Sequence, residues 1–259
     1  MMWTDIKSIY RSAWTFMIAC PLLFLIPVFV EMAQHVAEIH IGMYHSLASA
    51  RAVADSPLRM TFAVAKIIAL MLPGYWFVRY LAAGNDPHAA RRIEPVGLAL
   101  WSILFTLNLT LSLYSLFGPP LGEALGLTGS VGTYFGTAVS GGWSILSVYL
   151  SAWIIAWTLG NATIGPLRSV AIMNGYFWRT VVYMVTGVLP LMVVHYALGY
   201  GAMGCPNWLI WPMLIVDAFL VGILALTMTA PIWLGARRAA EARGVELAPH
   251  IDSLSMQRV

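Results

Sequence analysis

Charge is scarce in this sequence. Only 10% of its 259 residues are Asp, Glu, Lys or Arg, where a soluble domain carries about a quarter. Sixty per cent are hydrophobic and the mean hydropathy is +0.78, which excludes a soluble globular chain and implies an integral membrane protein. Long polar stretches are missing too, so one membrane domain is expected over 1–244, with a flexible tail over 245–259. Cysteine is nearly absent. Cys20 lies in an apolar run and Cys205 in a loop on the opposite side, and the two give neither a disulfide framework nor metal-ligand spacing. No nucleotide loop, His-Glu zinc motif or nucleophile elbow occurs. "GTYFGTAVSGG" is Gly-rich but has no lysine to meet a phosphate. The net charge of +3 comes from scattered arginines rather than a basic run interleaved with aromatics, so nucleic acid is not an expected partner.

What is abundant is the long apolar run. Six are present, giving an all-α polytopic bundle with spans at about 12–33, 58–80, 95–117, 134–159, 178–198 and 207–235. Pro57 after Ser56 and Pro95 mark helix starts, and Pro119–Pro120 close the third span. With the N-terminus inside, eleven of the fourteen Lys and Arg fall in inner segments. This predicts cytoplasmic termini in a plasma membrane.

Directly after eighteen uncharged residues comes "EMAQHVAEIHIGMYH". Read as a helix, Glu31, Gln34, His35, Glu38, Gly42 and His45 share one face. Such a stripe fits an amphipathic outer helix lying on the leaflet or roofing the bundle, which needs no ligand. It also fits a divalent-metal site from Glu31, His35, Glu38 and His45, since adjacent turns align carboxylate and imidazole donors. That site would need a distant donor such as His195. The roof is the simpler reading, and no cofactor is required by it.

Within the spans, Asp217 is the residue most costly to place in lipid and so the first functional candidate. Lys66 and Asp217 lie nine and eleven residues past Pro57 and Pro206, which puts them at about 14 and 16 Å from their helix starts. They are expected to meet, with His195 joining from outside, in a polar interior. Ser140, Ser144, Ser147 and Ser151 on the fourth span, and Asn108, Ser112 and Ser115 on the third, predict a close seam between those two helices.

The stretch "LRSVAIMNGYFWRTVVYMVTGVLPL", through Ser169, Gly175, Phe177, Trp178 and Arg179, resembles the entry to a span in YciC-like and glycerophosphodiester-phosphodiesterase membrane-domain proteins. The N-terminal "IYRSAWTFMIACPLLFLIP", with Arg11, Ser12, Ala13 and Trp14 as its entry, looks like a degenerate first copy, and "ALTMTAPIWLGARRAAEARG" is similar in kind to that group's last helix. Val170 stands where the group often has tryptophan. The resemblance implies six helices and a bacterial inner membrane and carries over no active site. The function expected is a non-enzymatic envelope protein acting through lipids, protein partners or self-association. A small-solute or lipid transporter and a membrane-embedded metalloenzyme are the alternatives.

Overall fold

The computed structural model describes residues 2–249 and, among these, contains helices and no strands. In chain order the helices are α1 Met2–Ala19, α2 Pro21–His40, α3 Leu47–Ala52, α4 Pro57–Met71, α5 Gly74–Ala82, α6 Pro87–Arg91, α7 Pro95–Phe117, α8 Leu121–Ala124, α9 Gly129–Tyr149, α10 Ser151–Thr158, α11 Pro166–Met173, α12 Phe177–Gly201 and α13 Asn207–Glu241. A 3₁₀ turn, Met43–His45, sits between α2 and α3. Five of these segments are long and apolar enough to cross a membrane: α2, α4 with α5, α7, α12 and α13. A sixth is reached if α9 and α10, bent by 52°, form one broken span. The protein is thus a multi-pass membrane bundle.

The first span begins later than its composition suggests. Proline lacks an N–H and disfavours the helical region for the residue before it. Cys20 accordingly leaves the helix at φ −132°, ψ 58°, and Pro21 opens a new one. The chain at 12–33 is therefore the end of α1 and the first part of α2. α1 is a separate amphipathic helix that buries Ile9, Ala13 and Phe16 and leaves Trp3, Trp14 and Ile18 exposed.

α13 is the axis of the bundle, packing on α12, α2, α1, α10 and α5. Small residues let its neighbours come close, as membrane helix packing requires. A Cβ on Gly222 would lie 2.6 Å from Val28 and 2.8 Å from Phe24 of α2, and one on Gly187 of α12 would lie 3.0 Å from Pro231. At the end of the bundle where α1 starts and α13 ends, Asp5 is buried and holds α1 to its neighbours. Arg238 reaches it at 2.6 Å, Arg179 at 3.1 Å and the Tyr183 hydroxyl at 2.6 Å. Burial alone would raise the Asp5 pKa, but these three donors outweigh it and hold the carboxyl below its ordinary range.

Two sequence expectations are corrected. Residues 245–249 are not a free tail, because Leu247 is buried in the main core and Asn161 donates to the Glu246 carbonyl at 3.3 Å; residues 250–259 lie outside the described residues. The seam predicted between the third and fourth spans does not form as drawn. α7 packs on α10 and α4, Ser140, Ser144, Asn108 and Ser115 are exposed, and Ser144 and Ser147 bond to carbonyls of their own helix. The bend at Leu150 turns α9 away from α7, leaving Asn108 and Ser147 on the two sides of a 240 Å³ crevice and burying Ser151, with Ser112 half-buried.

Candidate functional site: a buried carboxylate and histidine cluster

The polar stripe of α2 belongs to the interior. Glu31, Gln34, His35 and Glu38 are all buried, at 1 to 7% exposure, so the outer roof expected from amphipathicity is not what this segment forms. α2 runs unbroken to His40, and its polar face is turned toward α4 on one side and α13 on the other. Gly42, at φ +76°, turns the chain after the helix. Gly204 then donates to the Tyr44 carbonyl at 2.8 Å, pinning the turn over the α12–α13 loop. The pinned turn seats Tyr44 among Ala202, Ile210 and Leu214, with its hydroxyl facing back into the bundle. His45 ends up exposed and apart from the other stripe residues.

Lys66 and Asp217 do not pair. Lys66 Nζ lies 2.7 Å from Glu31 Oε2 and 2.8 Å from Oε1. Asp217 meets His195 Nδ1 at 2.7 Å through Oδ1 and His35 Nε2 at 3.1 Å through Oδ2. Counting helical rise gives depth but not rotation about the bundle. α2 packs against both α4 and α13, and its Glu31 and His35 stand between the lysine and the aspartate.

His35 is the hub. Its Nδ1 lies 3.2 Å from Glu38 Oε2 and 3.0 Å from the Tyr44 hydroxyl, while Tyr44 itself donates to Glu38 at 2.7 Å. Burial, with the Glu38 carboxylate beside it, pushes the Tyr44 phenol well above its ordinary pKa, so it stays a donor to Glu38 and an acceptor to His35. The network therefore assigns a proton to Nδ1. Nε2 faces only acceptors, Asp217 at 3.1 Å and Glu31 Oε1 at 3.5 Å. A bare lone pair facing two carboxylates is unfavourable, and a proton shared with one of them or a metal ion would relieve it. Glu31, His195 and Asp217 each also offer a ligand atom within 4.8 Å of the other two.

Comparison with protein-family models, curated proteins and solved structures gave no match.

Around this cluster lies a cavity of about 430 Å³, lined by the same acidic and histidine side chains, by Lys66, Arg59 and Arg51, and by Met43, Leu47, Tyr196 and Tyr200. Gln34 donates to Glu38 at 2.8 Å, yet its Oε1 is buried and accepts from no described residue. Arg59 comes within 3.4 Å of Glu38 and donates to the Ala54 carbonyl at 2.7 Å. Position along α13 locates the cluster. Asp217 precedes Arg237 by twenty residues, about 30 Å of helix, so the cluster lies toward the opposite end of the bundle from Asp5 and Arg238. Sequence reasoning missed Tyr44 and Arg59 as members of the site. The only local signal for Tyr44 is the Gly42 turn, and its docking on the α12–α13 loop is a long-range contact that no spacing rule reveals.

Proposed function

We propose that this multi-pass membrane protein binds a divalent transition-metal ion near one membrane face, through His35 Nε2, Glu31, Asp217 and His195. The observation that carries the reading is His35 itself. One ring nitrogen is bound by a carboxylate and a tyrosine, and the other is turned toward two further carboxylates, which is the carboxylate–histidine–metal arrangement that fixes tautomer and ring orientation at metal sites. A set of two imidazoles and two carboxylates suits zinc, iron or manganese. It differs from the stripe-only site in taking donors from α2, α12 and α13, with Glu38 supporting His35 rather than binding the ion. The role is one of binding, and no reaction is assigned to it.

A second reading is a structural polar core in an envelope or lipid-associated protein, in which protons on both histidines take the place of the ion. The Lys66–Glu31 pair at 2.7 Å favours it, because that contact already neutralises one proposed ligand. Elemental analysis and native mass spectrometry of protein purified in mild detergent separate the two. About one equivalent of metal, lost in Asp217→Asn and in His195→Ala, supports the metal site. Metal-free protein that resists loading leaves the ion-pair core. The distribution of Lys and Arg supports cytoplasmic termini, and with the YciC-like resemblance it supports a bacterial inner membrane, which would place the cavity on the outer side. Cysteine labelling of Arg51→Cys in intact cells tests that orientation.

A further inference from the structure

We infer that the cavity beside the metal site takes the head of an anionic amphiphile, a phosphate-bearing lipid drawn from the bilayer. The inference rests on the metal reading, because the charges show what a bound ion would still need. Three carboxylates, Glu31, Glu38 and Asp217, and three cations, Arg51, Arg59 and Lys66, line the cavity and balance one another. A divalent ion adds two positive charges that no lining carboxylate offsets, in a site where unbalanced charge is costly. An anion shared between the ion and the arginines removes that excess.

The cavity's walls indicate an anion with an apolar tail. The acids and histidines form one side. Leu47, Tyr196 and Tyr200 form another, at 47, 56 and 62% exposure. They belong to α3 and to the distal end of α12, at the level where tyrosine sits between headgroup and hydrocarbon. Arg51 stands exposed on the same rim. The buried Nε of Arg59 has no well-directed hydrogen-bond acceptor among the described residues. A guanidinium recognises phosphate oxygens through paired donors, and the tyrosine and leucine rim lets the attached chain stay in the membrane. A cavity of about 430 Å³ is within the usual range for small-ligand sites and accommodates a phosphate head with its glycerol but not two acyl chains.

The test is native mass spectrometry of the zinc-loaded protein in maltoside detergent, titrated with dioleoyl phosphatidic acid or with phosphatidylcholine, and separately with phosphatidic acid against inorganic phosphate. Metal content is measured on the same samples. Phosphatidic acid is expected to be retained in preference to phosphatidylcholine, to resist inorganic phosphate, and to be lost by about 10-fold in Arg51→Gln/Arg59→Gln. Arg51→Gln alone, at an exposed rim position, should show a smaller loss in the same direction with zinc content unchanged, and guards against misfolding of the double variant. Equal retention of the two lipids, no effect of either variant, or displacement by inorganic phosphate at equal concentration overturns the inference. Wild-type protein that holds no zinc yet prefers phosphatidic acid overturns the metal reading and not the headgroup site; no zinc and no preference overturns both.

Discussion

Replacing Glu38 with glutamine probes the hub without emptying it. Glu38 Oε2 accepts from Tyr44 at 2.7 Å and His35 at 3.2 Å, and Oε1 accepts from Gln34 at 2.8 Å. In Glu38→Gln the remaining carbonyl oxygen can keep Tyr44 and His35, while the new amide nitrogen meets the Gln34 amide, donor against donor. Gln34 relieves that clash by turning over, because its Oε1 is otherwise unpaired. The geometry around His35 survives, and what is lost is the carboxylate charge behind its imidazole together with the Arg59 ion pair at 3.4 Å. The difference between a charge-assisted and a neutral hydrogen bond is about 1 to 2 kcal/mol, which is about a 5- to 30-fold loss in metal affinity. Chelator competition with zinc at neutral pH, in detergent, measures it. Unchanged affinity would refute the role given to Glu38, and a loss as complete as in Asp217→Asn would make Glu38 a ligand in its own right.

Lys66→Met leaves Glu31 buried beside His35 and should destabilise the protein by about 3 kcal/mol, the lower end for a broken buried pair because Lys66 keeps 22% side-chain exposure. Lys66→Met/Glu31→Gln should recover part of that loss, and thermal unfolding in detergent reads both. Asp5 has a depressed pKa, so its contribution to stability is complete above the ordinary carboxylate value and fades as pH falls below about 4. Asp5→Asn should therefore lower the melting temperature at neutral pH and flatten its fall in acid, and parallel slopes for wild type and variant would contradict the latch. Gly222→Ala drives a methyl into Val28 and Phe24 and should cost about 1 to 3 kcal/mol, again read as a melting shift.

The all-helical class, the long apolar runs and most prolines that open helices were legible in the sequence because they rest on local rules. The membership of Lys66, Asp217 and His195 in one polar interior was argued from depth alone, and depth is a one-dimensional quantity. Rotation is not: whether Lys66 faces Asp217 or Glu31 depends on α2 lying between α4 and α13. The stripe on α2 illustrates the same gap. Amphipathicity at 31–45 shows that one face is polar, but a polar face can meet water or a buried set of partners, and only the position of Asp217 on another helix decides which. His45 fell out because the helix ends at His40 and Gly42 reverses the chain, a change of direction that the helical projection ignores.

At 35 residues, about 52 Å long, α13 exceeds the thickness of a hydrocarbon core, and its paired Asp217 and Arg238 side chains sit about 30 Å apart along it. His35 and His195 hold Asp217 in the first half of the helix, and Asp5 holds Arg238 at its other end. A shaft pinned at both ends can neither slide nor roll without breaking one of its pins. A displacement of Asp217 that carried α13 with it would strain the Asp5–Arg238 pair, so the two contacts together fix both the height and the rotation of the bundle's central helix.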